Sequence, residues 1–298
     1  MSTPPAFDYF EAFSRNIGWV TRDEQAVLRT KRVAIAGLGG AGGDHVMALT
    51  RLGITKLNIS DFDSFAVPNF NRQIGATMST LGRPKIDVIA AMARDINPEM
   101  DIRCFPQGVN TENLADFLTD VDLYLDGLDF FVLPARRATF AACERAGIPT
   151  VTAAPLGMGT AYLTFMPGKM TFEEYFRLDG VPEDEQFVLF MLGLAPARLQ
   201  YNYVVDPAAV RLDEKRGPST VIGCQLCAGV AATQALKILL GRGKILAAPW
   251  GLHFDAYNNK FARTWRPWGN KNPWQRLLIV LAKRRLASMR AASANNAS

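Results

Sequence analysis

Residues 32–53 read RVAIAGLGGAGGDHVMALTRLG, and this stretch determines the class of fold. The run Arg32–Ala36 is apolar and β-branched, which predicts a buried parallel strand. Asp44–Leu52 holds good helix formers and ends at Gly53, which predicts a helix. The glycine loop, residues 37–42, joins the two elements. In such a unit the backbone N–H groups and the positive end of the helix can hold a phosphate.

The alternation of strand and helix continues beyond this unit. Further strands are predicted at Lys56–Ser60, Asp101–Phe105, Leu123–Asp126 and Pro149–Ala153. Further helices are predicted at Pro84–Ile96, Glu112–Leu118 and Arg136–Ala146, after a helical N-terminal segment at 7–30. Strands that alternate with helices at this spacing form right-handed crossovers. The sequence therefore predicts an α/β fold with a doubly wound, Rossmann-like, mostly parallel sheet.

The pattern changes after Ala161. The later elements expected are a strand at Tyr162–Met166, a helix at Cys224–Leu240, a strand at His253–Tyr257 and a terminal helix at Trp274–Met289. Residues 168–218 lack a clear period and are predicted to form an irregular crossover region. We divide the chain into an N-terminal helical segment (1–30), a nucleotide-binding part (31–160), the rest of the domain (161–260) and a basic tail (261–298).

Charge is spread unevenly along the chain. Eight basic residues and no acidic one follow Lys260, so the first 260 residues hold 25 basic against 28 acidic side chains. Such a tail suits nucleic acid, an acidic protein or a membrane surface, and a merely solvated tail is the alternative. No apolar run approaches the ~20 residues of a membrane span. Residues 1–10 lack the basic start of a secretory signal, and four cysteines suggest no disulfide framework. We expect a cytoplasmic protein.

The glycine loop alone would favour NAD. Its spacing fits G-x-G-x-x-G, and Asp61 lies 19 residues beyond Gly42, where an acidic residue can bind a ribose. However, Arg72 and Lys85 follow within 25 residues of Asp61. A guanidinium and an ammonium suit a triphosphate better than a dinucleotide. The sequence therefore favours ATP, and an NAD-dependent oxidoreductase remains the alternative.

Several motifs in this region resemble one family. They are the glycine loop, Asp61-x-Asp63, Asn69-Phe70-Asn71-Arg72-Gln73, Gly82-x-x-Lys85 and Asp126-Gly127-Leu128-Asp129. Together they resemble the ThiF/MoeB/HesA family, the bacterial relatives of ubiquitin-activating enzymes. Phe13–Ile17 resembles the N-terminal arginine motif of that family, so the resemblance runs from about Phe13 to Gly241.

The resemblance implies an ATP-dependent adenylyltransferase that activates a carboxylate as an acyl-adenylate and releases pyrophosphate. Asp61 would bind the ribose, and Arg72 and Lys85 would hold the phosphates. Asp129 would hold Mg²⁺, and Arg15 would reach into the site of a partner subunit, which implies a homodimer. Other residues expected at the nucleotide are Gly37, Gly39, Gly40, Gly42, Asp63, Asn69 and Gln73.

The chain also departs from the family pattern. Many relatives bind a structural zinc with two CxxC pairs, whereas this chain has only Cys224-Gln-Leu-Cys227. Tetrahedral zinc takes four ligands, so we expect no zinc. Residues 168–218 contain no cysteine for a thioester, which leaves Cys224 and Cys227 as either reactive thiols or packing residues. Phe130 stands where the family usually has Asn, which affects the geometry near Asp129.

Three functions remain open beside the oxidoreductase. The first is activation of a ubiquitin-like or sulfur-carrier protein or of a peptide. The second is action on tRNA, because Ile96–Glu99, Ile148-Pro149 and Gly223-Cys224 are similar to the branch that cyclises threonylcarbamoyl-adenosine, and a basic tail would suit RNA. The third is a partner-binding relative without activity, which the presence of Arg72, Lys85 and Asp129 disfavours.

Overall fold

The computed structural model describes residues 6–206, 209 and 217–296, apart from the side chains of residues 184 and 285–296. Its strands are β1 (Arg32–Ala36), β2 (Lys56–Ser60), β3 (Asp101–Phe105), β4 (Leu123–Asp126), β5 (Thr150–Leu156), β6 (Gly159–Phe165), β7 (Trp250–Asp255) and β8 (Lys260–Trp265). Its α-helices are α1 (Tyr9–Ala12), α2 (Arg22–Thr30), α3 (Gly40–Arg51), α4 (Lys85–Ile96), α5 (Leu114–Phe117), α6 (Leu133–Arg145), α7 (Phe172–Phe176), α8 (Glu183–Leu194), α9 (Val221–Leu239) and α10 (Pro273–Asn296).

The eight strands form one sheet in the order β3-β2-β1-β4-β5-β6-β7-β8. The first five strands are parallel to one another, and β6, β7 and β8 each pair antiparallel with the preceding strand. The predicted α/β class with a Rossmann-like, mostly parallel sheet is thus confirmed. The carboxyl ends of β1, β2 and β4 lie side by side, so the loops that follow them meet at one edge.

Helices cover both faces of the sheet. Val33 and Ile35 of β1 point into a core shared with α3, α4 and α9, and Ala34 and Ala36 point into a second core shared with α5 to α8. Alternate side chains of a strand point to opposite faces, so a strand buried on both faces must be apolar throughout. This explains why Val33–Ala36 is a continuous apolar run, whereas Arg32, at the start of the strand, pairs with Asp101.

The second half of the chain differs most from the sequence-based prediction. The crossover region, predicted to be irregular, contains α7 and α8 among its described residues; residues 207, 208 and 210–216 lie outside them. Helix α8 reads EDEQFVLFMLGL and has no polar stripe, because α10 packs on one side of it and α7 on another. β8 was missed because its side chains are mostly exposed at the edge of the sheet.

Helix α9 is, within the described part of the chain, the one helix long and apolar enough to cross a membrane. The sequence analysis recognised no run of that length, because Gln225, Gln234 and Lys237 interrupt it. In the structure α9 packs against α3, β5 and β6, with Cys227 and Ala231 in the core. Its composition is therefore explained by burial inside the protein. The four-part division of the chain stays a prediction.

Candidate active site

The glycine loop contacts the segment that follows β4. Gly37 has φ +83°, and a Cβ there would collide with the carbonyl of Gly127. A Cβ at Gly42 would collide with the carbonyl of Gly37. These backbones approach each other too closely for any side chain, so glycine is required at Gly37 and Gly42.

Gly39 and Gly40 lie at the start of α3, beside Gln73 and Arg72. Gly39 is the N-cap of α3 and provides no side-chain cap. A Cβ on Gly39 would meet only Gln73 Nε2, at 3.8 Å, whereas one on Gly40 would lie 2.6 Å from Cys224 Sγ and 3.4 Å from Arg72 Cγ. The first N–H groups of α3, which have no partner within the helix, thus lie beside Gln73 and Arg72. This arrangement favours an anion.

Asp61 directly follows β2 and is hydrogen-bonded to the glycine loop. Its Oδ2 accepts a hydrogen bond from Leu38 N at 2.6 Å, and its Oδ1 accepts one from Asp63 N at 2.8 Å. Burial raises the pKa of the Asp61 carboxyl, and the two N–H donors and Lys85 oppose that effect. Each carboxylate oxygen can accept a further hydrogen bond, so Asp61 retains capacity for a ribose hydroxyl.

Lys85 begins α4 and points back to the loop after β2. Its Nζ lies 2.9 Å from Asp63 Oδ2, and the Lys85 side chain is 7% exposed against 54% for that of Asp63. A buried ammonium needs a partner, and Asp63 provides it. The structure thus places Lys85 and Asp63 together at the edge where Asp61 lies.

The loop after Asp63 carries the other predicted phosphate ligands. Arg72 donates from Nη1 to the Pro68 carbonyl and to Asn71 Oδ1, both at 3.0 Å. Asn69 uses its Oδ1 to accept from Ala66 N, so its side chain stabilises a local turn. Gln73 is 7% exposed, and its Oε1 has no hydrogen-bond partner among the described residues. Because buried polar atoms are normally paired, this oxygen is suited to a ligand.

A buried ion pair, which the sequence analysis missed, holds the loop before Asp129. Asp126 Oδ2 accepts from Arg136 Nε at 2.7 Å and from Thr152 Oγ1 at 2.8 Å. Arg136 Nη2 then donates to the carbonyls of Leu128 at 2.6 Å and Asp129 at 3.1 Å. Arg136 thus joins the end of β4 to the backbone of the loop. No local motif marks Arg136, because its role depends on how α6 packs.

Asp129 itself is exposed at the rim of the site. Its Oδ1 accepts from Phe131 N at 3.0 Å. The described residues include no group of three or more His, Cys, Asp or Glu side chains that could hold a metal ion. Mg²⁺ usually takes only one or two carboxylates, with waters and substrate phosphates as its other ligands. A single carboxylate at Asp129 therefore fits a magnesium ion that arrives with a triphosphate.

Arg15 lies away from the other predicted residues within one chain. It is exposed in a short 3₁₀ turn at Ser14–Asn16. Asn16 Nδ2 donates to Gln25 Oε1 at 3.2 Å and lies 3.5 Å from the Arg51 carbonyl, at the C-terminal end of α3. The glycine loop is at the other end of that helix, about 18 Å away for 12 residues. The structure does not bring Arg15 to the site of its own chain.

Two further side chains lie near the glycine loop. Cys224 is buried against Gly40, and burial raises the pKa of its thiol to about 11. Such a thiol is protonated at neutral pH, which favours a packing role over a nucleophilic one. Asp44 of α3 is 7% exposed, with no partner for its Oδ2 in the described structure, and burial raises the pKa of its carboxyl to about 6. Sequence alone could not bring α3 and α9 together.

Known proteins share both sequence and fold with this chain. The tRNA threonylcarbamoyladenosine dehydratase of Haemophilus influenzae is 33% identical over 44% of this chain and 50% of its own length. The ThiS adenylyltransferase of Escherichia coli is 30% identical over 53% of this chain and 63% of its own length. The chain thus spans about half to two thirds of the length of these curated relatives.

Solved structures share the fold across most of the chain. The crystal structure of PaaA has a TM-score of 0.64 and 16% identity, and covers 89% of this chain and 76% of PaaA. The E. coli MccB complex with ATP has a TM-score of 0.58 and 19% identity, and covers 81% of this chain and 65% of MccB. A family model described as "ThiF family" matches residues 13–276. This chain therefore belongs to the ThiF family.

Proposed function

We propose that this protein is an ATP-dependent adenylyltransferase that activates a carboxylate as an acyl-adenylate and releases pyrophosphate. The observation that carries the proposal is the convergence of the glycine loop, the Arg72 loop, Lys85 and the Asp129 loop at one edge of the sheet. Membership of the ThiF family, which includes named adenylyltransferases, supports it.

Each group has a physical role in this proposal. Asp61 accepts hydrogen bonds from the ribose, and the N–H groups at the start of α3 face the phosphates. Arg72 and Lys85 neutralise phosphate charge, and a phosphate at Lys85 replaces the contact with Asp63. The substrate carboxylate is already ionised at neutral pH, so its attack on the α-phosphate needs no general base. Catalysis then consists of positioning and electrostatic stabilisation.

Asp129 would hold Mg²⁺ beside the phosphates. The ion would neutralise phosphate charge and orient the oxygens for displacement. Arg136 would position Asp129 by holding the loop carbonyls. We propose no structural zinc, for the reason that the single CxxC pair provides too few ligands.

The substrate we favour is the C-terminal carboxylate of a small carrier protein or a peptide. Relatives support this class: one is named for the sulfur carrier ThiS, another is a SAMP-activating enzyme E1, and MccB was crystallised with MccA. We further propose a cytoplasmic homodimer in which Arg15 acts on the partner's site. The distance of Arg15 from its own glycine loop supports that arrangement.

The test is ATP–pyrophosphate exchange with a panel of carriers, peptides and modified tRNA. Arg72→Ala and Lys85→Ala should each lower exchange by about 10²- to 10³-fold, because each removes a charge that stabilises the transition state. Arg83→Ala is the matched control, since Arg83 is an exposed cation two residues before Lys85 in sequence. Full exchange in either test variant would show that the phosphate roles are wrong.

The second candidate is a dehydratase that acts on modified tRNA. It is favoured by three curated relatives with that name at 33–35% identity. In that case modified tRNA, and no carrier or peptide, would support exchange. The panel therefore separates the two candidates in one assay.

A further inference from the structure

A basic groove runs between α8 and α10, outside the candidate active site. Its volume is about 540 Å³, and the groove is open to solvent along much of its length. The eight residues that line it are Arg177, Leu189, Asn270, Lys271, Arg276, Ile279, Val280 and Lys283. This volume lies in the range of sites that bind small molecules or a few residues of a peptide.

The lining contains four cations and no carboxylate. Lys283 is paired with Glu185 of α8. Among the residues that the structure describes, no ion pair involves Arg177, Lys271 or Arg276, and Arg177 Nε is buried without a hydrogen-bond partner. Unpaired guanidinium and ammonium groups recognise carboxylates and phosphates. The groove is therefore built for an anion.

Apolar side chains also line the groove. Ile279 is 9% exposed, and Val280, on the next position of α10, is 46% exposed. Leu189 supplies the α8 side. A ligand that fills this space must carry apolar groups next to its negative charge.

None of the eight lining residues is aromatic, and single-stranded nucleic acid usually binds by stacking its bases on aromatic rings. The lining thus favours an acidic peptide over RNA.

Helix α8 connects the groove to the candidate active site. Phe190 packs on Phe130 with ring centroids 5.3 Å apart, and Phe187 packs on Phe131 at 5.2 Å. Leu189, between them in sequence, lines the groove. A helix is about 10 Å across, so the groove and the Asp129 loop are separated by roughly that distance. An extended peptide spans about 10 Å with three residues.

We propose that this groove docks an acidic, partly apolar segment of the polypeptide substrate, several residues before the carboxylate that is adenylated. The proposal rests on the proposed function for its choice of substrate. It gives the unpaired cations of the C-terminal region a role in substrate recognition. In that region no acidic residue follows Lys260.

The experiment measures binding of fluorescent 12-residue peptides to the full chain by anisotropy, without ATP. The probes alternate Glu with Leu, Gln with Leu, or Lys with Leu. The Glu peptide should bind best, and K271E/R276E should weaken it at least tenfold. The control K169E/K244E changes the net charge equally at exposed lysines outside the groove, and should leave binding unchanged. Circular dichroism verifies folding of both variants.

A charge-reversed pair of variant and peptide distinguishes a lost contact from a loss of folded structure. The Lys peptide should bind K271E/R276E more tightly than it binds the wild-type protein. Equal binding of the Glu and Gln peptides would overturn the proposal, and so would equal weakening by K169E/K244E. Tighter binding of an RNA oligonucleotide, lost in K271E/R276E, would assign the groove to nucleic acid instead. Because the assay contains no ATP, failure of the adenylation proposal would appear only in pyrophosphate exchange.

Discussion

Gly40 is the glycine of the loop whose added Cβ would clash with a side-chain atom, which can itself be changed by mutation. An added Cβ would lie 2.6 Å from Cys224 Sγ, below any normal contact distance. We expect Gly40→Ala to lower the free energy of unfolding by about 1–3 kcal/mol through overpacking. Cys224→Ala removes the sulfur, so the double variant Gly40→Ala/Cys224→Ala should recover part of that loss. Urea unfolding of the four proteins measures the coupling.

Gly39 provides the matched control for Gly40. Its added Cβ would meet only Gln73 Nε2, at 3.8 Å, which is an ordinary contact. Gly39→Ala avoids the clash and should cost only about 0.5–1 kcal/mol, because Ala is a poorer N-cap than Gly. If Gly39→Ala and Gly40→Ala were equally destabilising, or if Cys224→Ala brought no recovery, the proposed contact would be wrong.

His253 controls part of the pH dependence of stability. It is 1% exposed, neither ring nitrogen has a partner in the described structure, and burial lowers its pKa to about 4. Between pH 6.5 and 4 the unfolded chain binds more protons than the folded chain, so stability falls as pH falls through this window. His253→Leu should reduce that slope, as measured by urea unfolding at pH 7, 6, 5 and 4.5.

Asp44 acts in the opposite direction. Burial raises the pKa of its carboxyl to about 6, so the folded chain binds more protons than the unfolded chain between pH 3.8 and 6. Its contribution to stability therefore rises as pH falls. Asp44→Asn should make the slope steeper, whereas His253→Leu makes it shallower. Unchanged slopes in both variants would show that these groups do not titrate as inferred.

At the scale of elements, the junction of β4 and α6 depends on one ion pair. Asp126 and Arg136 have side chains 1% and 3% exposed. Arg136→Met leaves the Asp126 carboxylate buried without its cation and should cost about 3–5 kcal/mol. The neighbouring Arg137 pairs with Glu173 at a more exposed position, so Arg137→Met should cost about 0–1 kcal/mol. Chemical denaturation compares the two variants.

The same variant has a consequence for the site. Arg136 donates to the carbonyls of Leu128 and Asp129, so its loss should weaken ATP binding as well as stability. Titration with a fluorescent ATP analogue would show this in Arg136→Met and not in Arg137→Met. Equal stability of the two variants would contradict the buried pair as the element that holds this loop.

Elements differed in how well sequence predicted them. The bounds of β1, β2 and β4 were predicted correctly, because a strand buried on both faces is a short, mostly apolar run between turn residues. The bounds of the edge strand β3 were also predicted correctly, although its side chains are only partly buried. α8 was missed because an apolar helix shows no 3.6-residue period, and β8 was missed because an edge strand carries mostly polar side chains. Both elements depend on their neighbours more than on their own pattern.

At the scale of the whole molecule, the position of Arg15 predicts complementation between subunits. We expect Arg15→Ala and Arg72→Ala each to be inactive in pyrophosphate exchange. In a mixed dimer, one site would retain both Arg72 and the partner's Arg15. Co-expression at equal levels should therefore restore about a quarter of the wild-type activity, if the dimer has two-fold symmetry.

A mixture of Arg72→Ala and Lys85→Ala serves as the control. This mixture could recover activity only if Arg72 and Lys85 served different sites. We place both residues on loops of the same site. No recovery is therefore expected from that pair. Absence of recovery in the Arg15 mixture, with dimers present by analytical ultracentrifugation, would show that Arg15 does not act on the partner.

The sequence by itself determined the fold class, the family and the position of the glycine loop between β1 and α3. These depend on residues close together in the chain: an apolar run, glycines at set spacings, and acidic and basic residues within 25 positions of Asp61. Local spacing is enough to specify a strand, a turn and a helix N-terminus. Asp61, Arg72 and Lys85 could be named for the same reason, although their roles stay predictions.

Tertiary structure alone decided the contacts between distant segments. It placed Cys224 on Gly40, Arg136 under the Asp129 loop, and the cations of α10 beside α8. It also separated Arg15 from the site of its own chain by the length of α3. Such contacts arise from how helices pack on the two faces of the sheet, and no pattern within a single segment encodes that packing.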